Sequence, residues 1–213
     1  MQYSDLKRLM DVIMSLGLGL FFLPISIIVA FAIKLETPVG PIFAATPPRV
    51  GKKGKLFNTY KFRSMIPNAY EMIKTDPKFK SLFEEYKKNS FKLVDDPRVT
   101  RVGKFIRKYS LDEVPQFINV FLGDMSVIGP RPYYKDELEE QQRKYPDTKE
   151  LVRKTLSVRP GITGIWQVSG RSEINFDKRI DMDAHYAENM NLWYDLKILL
   201  KTPFVMLSGK GAV

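Results

Sequence analysis

Two adjacent carboxylates, Asp112 and Glu113, are the residues of this chain best suited to chemistry. They stand in the run Ser110 to Glu113, which follows a basic stretch and precedes Pro115. Ser-x-x-Glu is the pattern of a capping box, and acidic residues suit the first turn of a helix. A helix start also favours the ionised form of Asp112, and an ionised carboxylate can act as a covalent nucleophile. The spacing leaves both interpretations open.

Two arginines near this pair could bind phosphate. Arg107 comes shortly before Asp112, close enough in sequence to help neutralise a diphosphate. Arg131 stands between Pro130 and Pro132, and two prolines fix the backbone around a guanidinium that can bind phosphate oxygens bidentately. The alternative for Arg131 is a rigid turn with a solvent-facing side chain.

Composition restricts the chemistry further. The chain has no cysteine and a single histidine, His185, which excludes disulfides, cysteine nucleophiles and zinc sites built from several imidazoles. Lysine and arginine total 34 against 24 acidic residues, a net charge of +10. Such a surface suits an anionic membrane, phosphorylated substrates or nucleic acid. Catalysis would have to rest on carboxylates, arginine, lysine and a hard metal.

An apolar segment near the start places the chain at a membrane. Residues 12 to 33 carry no charge and could reach roughly 33 Å as a helix, enough to cross a bilayer core. Pro24 interrupts the segment, and basic residues flank it on both sides. Since positive charge prefers the cytoplasmic side, a re-entrant hairpin with both ends in the cytoplasm satisfies both flanks. A straight span and a signal peptide remain the alternatives.

The remaining pattern predicts an α+β fold, mostly helical, with a small β-hairpin. Strands are expected at residues 49–50 and 56–62, joined across Gly51 to Gly54. Helices are expected at residues 67–94, 98–109, 176–189 and 192–207, the last either a core helix or an amphipathic helix in the membrane interface. We therefore predict a re-entrant membrane anchor at residues 1–36 and a single cytoplasmic catalytic domain at residues 37–213.

Several motifs occur in an order that resembles a known family. They are Lys7-Arg8-Leu9-Met10-Asp11, Tyr60-Lys61-Phe62-Arg63-Ser64-Met65, Asp96-Pro97-Arg98-Val99-Thr100-Arg101-Val102-Gly103, Ser110-Leu111-Asp112-Glu113-Val114-Pro115-Gln116, Gly129-Pro130-Arg131-Pro132, Pro160-Gly161-Ile162-Thr163-Gly164-Ile165-Trp166-Gln167-Val168-Ser169-Gly170-Arg171 and Asp195-Leu196-Lys197-Ile198-Leu199-Leu200-Lys201-Thr202. Together they resemble the bacterial sugar transferases, the monotopic polyprenyl-phosphate phosphoglycosyl transferases, over nearly the whole chain.

The resemblance implies transfer of a sugar 1-phosphate from a UDP-sugar to undecaprenyl phosphate, which starts the synthesis of a surface glycan. In the family mechanism Asp112 would attack the sugar-side phosphorus, release UMP and carry the phosphosugar covalently. Glu113 would assist as a Mg²⁺ ligand or base, and the metal would be shared by Asp112 and Glu113. The resemblance further implies that Arg107 and Arg131 contact phosphate, and that Gln167 and Arg171 lie near the nucleotide.

The resemblance also implies a place in the cell. It favours the re-entrant anchor and the cytoplasmic face of the bacterial inner membrane, with membrane lipids as a partner. A hexose, galactose or glucose, is the first choice of sugar, and a homodimer is a partner to be tested. The sequence departs from the family pattern at Thr46 to Pro48, where a glutamine is common, and at Asn189 to Asn191, where Asn-Trp-Ser is common.

Three rival functions remain from the residues alone. The first is a non-catalytic basic membrane-associated adaptor in which the acidic pair is only a capping box. The second is a membrane-tethered nucleic-acid binder, but no recognition module is present, and we therefore expect no nucleic-acid partner. The third is an enzyme with a soluble phosphate acceptor.

Overall fold

The predicted helical content is found in a computed structural model, which describes residues 3–88, 93, 96–170 and 174–208. Within those residues the helices are α1 (Tyr3–Phe21), α2 (Leu23–Glu36), α3 (Ala69–Thr75), α4 (Lys80–Lys88), α5 (Arg101–Lys108), α6 (Gln116–Leu122), α7 (Lys135–Lys144), α8 (Lys149–Thr155), α9 (Phe176–Asn189) and α10 (Leu192–Ser208). Short 3₁₀ turns lie at Lys52–Gly54, Pro77–Phe79, Leu111–Glu113 and Pro146–Thr148.

The strands are β1 (Arg49–Val50), β2 (Leu56–Phe57), β3 (Ser126–Ile128), β4 (Tyr133–Tyr134) and β5 (Gly161–Thr163). Strand β1 pairs antiparallel with β2 on one side and with β4 on the other. Strands β3 and β5 form a separate parallel pair. The predicted hairpin is confirmed, but its second strand ends at Phe57 rather than Phe62. The sequence did not predict β3, β4 and β5, because strands of two or three residues are too short to show alternation.

The predicted helices were placed well. Helix α9 begins and ends where its pattern predicts, and α5 and α10 fall within or one residue beyond their predicted ranges. The stretch 67–94 is two helices separated at Pro77, as the proline suggests, and its last residues lie outside the described part of the chain apart from Leu93.

Helices α1 and α2 form a bent pair, with an angle of 58° between them. Pro24 lies in the first turn of α2, where its missing N–H breaks no bond within that helix. The hydroxyl of Ser26 donates to the carbonyl of Phe22 at 2.8 Å, which helps to satisfy the backbone at the bend. No single helix of the described residues is long and apolar enough to cross a membrane, whereas this bent pair meets that requirement by length and composition.

In helix α1 the buried face is polar and the exposed face is apolar, the reverse of an amphipathic helix that packs on a water-soluble core. The side chains that it buries are polar, at the four-residue spacing of Lys7, Asp11 and Ser15. Its exposed face is apolar and includes Leu6, Leu9, Ile13, Leu16 and Leu20. An apolar face turned outward over the length of a helix marks a surface for lipid or for another protein.

Helix α10 combines a packed face with an exposed apolar one. Ile198 is buried in a core cluster with Val120, Met125 and Tyr186. The opposite side exposes an apolar stripe at helical spacing, consisting of Trp193, Leu196, Leu200, Phe204 and Leu207. Both interpretations of this segment are therefore partly right, because one face joins the core and the other has the composition of an interfacial helix.

A buried ion pair joins α1 to α10. The Nζ atom of Lys7 lies 2.6 Å from Oδ2 of Asp195, and the Tyr3 hydroxyl donates to the same oxygen at 2.6 Å. The Tyr186 hydroxyl donates to the other oxygen, Oδ1, at 2.6 Å. The Asp195 side chain is only 4% exposed, so its charge is balanced inside the protein.

A second carboxylate of α1 bonds to β3. The Oδ1 atom of Asp11 accepts from the Ser126 hydroxyl at 2.9 Å and from the backbone N–H of Val127 at 3.0 Å. The bent helix pair is thus fixed to the rest of the fold by hydrogen-bonded charges as well as by apolar contacts. We call Lys7, Asp11 and Asp195 the anchor cluster.

Candidate active site

Asp112 and Glu113 lie in the 3₁₀ turn Leu111–Glu113, between α5 and α6. Ser110, before this turn, has a left-handed backbone (φ 55°) and its side chain makes no capping hydrogen bond. The capping-box interpretation of this motif is therefore wrong. The turn is instead held from outside, because the carbonyl of Asp112 accepts from the N–H of Phe62 at 2.9 Å.

That backbone bond places Lys61 against the two carboxylates. Its Nζ atom lies 2.6 Å from Oε1 of Glu113 and 3.5 Å from Oδ2 of Asp112. The Asp112 side chain is 11% exposed, whereas that of Glu113 is 34% exposed. We call Lys61, Asp112 and Glu113 the dyad cluster. The sequence motif around Lys61 suggested no role for it, because its partner lies 52 residues away.

The two carboxyl groups differ in acidity. Burial raises the pKa of Asp112 above its usual value, and the charge of Glu113 adds to this, while Lys61 and Arg107 oppose it. Burial alone would also raise the pKa of Glu113, but Lys61, Arg131 and Arg49 hold it below its usual value. The expectation that a helix start would favour ionised Asp112 is wrong, since the residue lies in a buried turn.

Arg107 is positioned by the packing of α5. This helix begins at a Thr100 cap, and its first N–H groups are held by Glu36 at the end of α2, at 2.7 and 3.0 Å. Gly103 lets α5 approach the backbone of Ser64, where any side chain on Gly103 would overlap the Ser64 carbonyl. The Nε of Arg107 then donates to the Ser64 hydroxyl at 3.0 Å, and its charge acts on Asp112.

Arg131 is positioned by the turn between β3 and β4. The carbonyl of Pro130 accepts from the N–H of Gly161 at 2.8 Å, and the N–H of Arg131 donates to buried Asp183 at 3.3 Å. Burial raises the pKa of Asp183 to about 7, although the arginines around it favour the charged form. The turn is rigid, as its prolines suggest, but the guanidinium is not solvent-facing. Its Nε is buried and has no hydrogen-bond partner among the described residues.

Of the two residues predicted near the nucleotide, Gln167 is among the described residues and Arg171 is not. Gln167 follows Trp166, whose ring centroid lies 5.3 Å from Cζ of Arg131, so Gln167 is close to the Arg131 turn in the chain. Its buried Oε1 has no hydrogen-bond partner among the described residues. Arg171 lies outside the described residues. The structure thus groups Asp112, Glu113, Arg107 and Arg131 by contact or by charge.

Arg49 was missed as a site residue. Its guanidinium lies 3.3 Å from the ring centroid of Tyr134 and donates to the carbonyl of Pro132 at 3.0 Å. Its charge helps to lower the pKa of Glu113, although the residues that precede it depart from the family pattern. The only sequence signal was its place in β1, beside the glycine-rich turn.

The carboxylates fit Mg²⁺ in kind but not in number. Mg²⁺ takes oxygen ligands and is usually held by one or two carboxylates together with substrate phosphates. Within the described residues there is no group of three or more His, Cys, Asp or Glu side chains that could hold a metal. Asp112 and Glu113 therefore suit a metal that binds together with a diphosphate, not a resident ion held by protein alone.

Known proteins resemble this chain over almost its whole length. The profile of the family described as bacterial sugar transferase matches residues 2–209. An undecaprenyl-phosphate galactose phosphotransferase of Salmonella typhimurium is 43% identical over 97% of this chain and 41% of its own length. A UDP-glucose:undecaprenyl-phosphate glucose-1-phosphate transferase of Escherichia coli is 37% identical over 97% of this chain and 41% of its own.

A shorter relative matches this chain over most of the length of both proteins. The exopolysaccharide production protein ExoY of Sinorhizobium fredii is 40% identical over 95% of this chain and 86% of its own length. The chain thus spans less than half the length of the galactose and glucose relatives but most of ExoY. The chain belongs to the bacterial sugar transferase family.

Proposed function

We propose that the protein transfers a sugar 1-phosphate from a UDP-sugar to undecaprenyl phosphate and so starts a surface glycan. The observation that carries the proposal is the dyad cluster, in which Asp112 is buried beside Lys61 and within the field of Arg107. The relatives named for galactose and glucose transfer support a UDP-hexose as donor. The non-catalytic adaptor loses its main support, because the acidic pair does not form a capping box.

The proposed chemistry has two displacements at one phosphorus. An oxygen of Asp112 bonds to the sugar-side phosphorus of the donor while the bond to the UMP oxygen breaks, and UMP leaves with the electron pair. An oxygen of undecaprenyl phosphate then bonds to that phosphorus, and the Asp112 carboxylate is released. Asp112 serves as the covalent nucleophile, and Lys61 helps to keep it ionised despite its burial.

The other residues of the site would handle charge. Arg107 and Arg131 would face the diphosphate, where two cations offset the repulsion between phosphate and carboxylate. Asp112 and Glu113 would hold Mg²⁺ together with the substrate phosphates, and the bound metal would neutralise charge that develops on the phosphate oxygens. Gln167 and Arg171 are proposed near the nucleotide on the strength of their motif alone.

We propose that residues 1–36 form a re-entrant anchor and residues 37–213 a catalytic domain on the cytoplasmic face of the inner membrane. Support comes from the bend between α1 and α2 and from the outward apolar faces of α1 and α10. Because the chain lacks cysteine, Ser4→Cys and Ser81→Cys each introduce a unique label site, and both serines are exposed. Both positions should react with an impermeant reagent from the cytoplasmic side only. Labelling of position 4 from the opposite side would establish a straight span.

The test of the reaction is UMP release by protein held in nanodiscs, with undecaprenyl phosphate, Mg²⁺ and a panel of UDP-sugars. Wild type should release UMP with one hexose donor. Asp112→Asn should release at least about a thousandfold less, because the amide keeps the shape and loses the nucleophile. Substantial turnover by that variant would refute the covalent assignment. Undiminished sugar transfer without the polyprenyl phosphate would indicate a soluble acceptor.

A further inference from the structure

A cavity lined by aromatic rings lies beside the candidate active site. Its volume is about 130 Å³, and residues of α3, α4, β4 and α7 line it. Four rings form its apolar walls, namely Tyr70, Phe83, Tyr86 and Tyr134. Whole ligands usually occupy pockets of about 300–1,000 Å³, so a cavity of this size suits one ring of a larger ligand.

The cavity is connected to the Arg131 turn of the candidate active site through Arg49. Strand β1 pairs with β4 so that Arg49 stands opposite Tyr134, and the guanidinium packs on the Tyr134 ring. The same guanidinium donates to the carbonyl of Pro132, the residue after Arg131, at 3.0 Å. One tyrosine ring therefore separates the cavity from Arg49, and the Arg131 turn of the candidate site directly precedes the strand that carries this ring.

The charged residues at the cavity are two carboxylates and one lysine. Asp136 and Glu140 lie one helical turn apart on α7, and both carboxylates line the cavity. Lys74 lines it from α3 and donates to the Tyr70 hydroxyl at 2.6 Å. Two carboxylates and aromatic rings together suit a neutral ring that offers several hydroxyl donors and an apolar C–H face.

These groups favour the sugar of a nucleotide sugar over its base. A uracil ring offers one N–H donor and two carbonyl oxygens, and two carboxylates would repel those oxygens. A hexose carries hydroxyls around most of its edge, and each of them can donate to a carboxylate. The sugar is also attached directly to the phosphorus that Asp112 is proposed to attack, and so it must lie close to the dyad cluster.

We propose that this cavity binds the hexose ring of the donor, with Glu140 and Asp136 accepting hydrogen bonds from its hydroxyls and Tyr134 packing on its face. This proposal rests on the proposed function. It makes α7 a determinant of which sugar the enzyme accepts, since epimers present their hydroxyls to the two carboxylates in different positions.

Glu140→Gln is the leading variant. It keeps the shape of the side chain and weakens an acceptor, whereas Asp136 also accepts from the backbone of Glu137 and its replacement could disturb the start of α7. The matched control is Glu139→Gln, the neighbouring glutamate. Its side chain is 53% exposed, it pairs only loosely with Lys135 at 3.9 Å, and it does not line the cavity.

Binding is measured first, in the Asp112→Asn background so that the donor is not consumed. Glu140→Gln should weaken the affinity for the preferred UDP-hexose about tenfold and leave the affinity for UMP unchanged. Glu139→Gln should change neither. Equal losses for UDP-hexose and UMP would place the nucleotide in the cavity and overturn the proposal, as would unchanged affinity for both ligands.

Turnover separates this proposal from the reaction itself. Turnover is measured with the native Asp112 in place. Glu140→Gln should then change the ratio of kcat/KM for UDP-galactose to kcat/KM for UDP-glucose by about tenfold. Glu139→Gln should leave this ratio unchanged. If wild type released no UMP but Glu140 still determined UDP-hexose affinity, the reaction would be refuted and the cavity assignment retained. If the protein bound no UDP-hexose, both would be refuted.

Discussion

The anchor cluster and the dyad cluster contain the same groups, one lysine and two carboxylates, and differ in how fully those groups are bonded. In the anchor cluster, Asp195 accepts from Lys7 and from two tyrosine hydroxyls. In the dyad cluster, the side chain of Asp112 has an ion pair with Lys61 at 3.5 Å, while the short hydrogen bond of that lysine goes to Glu113 at 2.6 Å. In the anchor cluster the protein itself supplies the donors to Asp195. In the dyad cluster Asp112 keeps acceptor capacity that a substrate or metal can use.

The difference shows how one protein uses buried charge for two purposes. A buried carboxylate with all its bonds made stabilises a particular packing, because removing any partner leaves a charge that water cannot reach. A buried carboxylate with few bonds costs stability and keeps its reactivity. Replacing the same group in each cluster should therefore affect different measurements.

Among the changes that compare the two clusters, the largest effect is expected for Lys61→Met. Its charge lowers the pKa of Asp112 against the effect of burial, so without it less Asp112 is ionised and UMP release should fall by about 10²–10³-fold. The melting temperature should change little, because Asp112 can take up a proton once Lys61 is gone and the Glu113 side chain is one-third exposed. Retained activity would show that Lys61 only fills space.

The matching change in the anchor cluster is Lys7→Met. It leaves Asp195 buried without its cation, and the free energy of unfolding in detergent should fall by about 3 kcal/mol. UMP release per folded molecule should be unchanged, because Lys7 does not belong to the site. Denaturant titration and active-site-normalised turnover measure the two quantities. A loss of turnover with full stability would contradict the division between the clusters.

Tyr186→Phe is a smaller change at the anchor cluster. It removes one hydroxyl donor to Asp195 and keeps the ring in the core, and so it should cost about 1.5 kcal/mol of unfolding free energy. The same titration measures it. A neutral result would mean that Lys7 and Tyr3 alone are sufficient partners for the carboxylate.

The smallest expected effect is a shift in pH dependence. Because the folded pKa of Asp112 is raised, UMP release should decline as pH falls through that pKa, at a higher pH than for an ordinary aspartate. Glu113→Gln removes a negative neighbour that raises this pKa, and the acidic limb of kcat/KM should move to lower pH in the residual activity. A limb that stayed in place would assign it to another group.

Local pattern predicted the acidic pair and most of the helices but not α6, α7 and α8, and partners distant in sequence determined the environment of the site. Asp112 and Glu113 were visible as a motif, but their environment depends on Lys61 and on a backbone bond from Phe62. The four-residue spacing of polar residues in α1 was also visible. Its inward orientation could not be read, because it depends on Asp195, which is 188 residues from Lys7.

The cavity beside Tyr134 was likewise hidden from the sequence. Its rings come from α3, α4 and β4, and β4 was not predicted because two residues are too few to show a strand pattern. Arg49 had the same problem, since its role depends on pairing with that strand. The motifs thus located the reacting groups, while the surrounding pocket required the packing of separate elements.

The ion pair between Lys7 and Asp195 sets an order of events during biosynthesis. At about 5–20 residues per second, a ribosome needs roughly 10–40 s to make the 188 residues between them. Over that time the bent pair of α1 and α2 has its lysine but not its counter-ion, and in the proposed re-entrant anchor the flexible stem of Lys7 would let its charge stay at the headgroups. The bonds of Asp11 to β3 can form once residue 127 is made, whereas the ion pair completes the attachment of α1 only when α10 emerges.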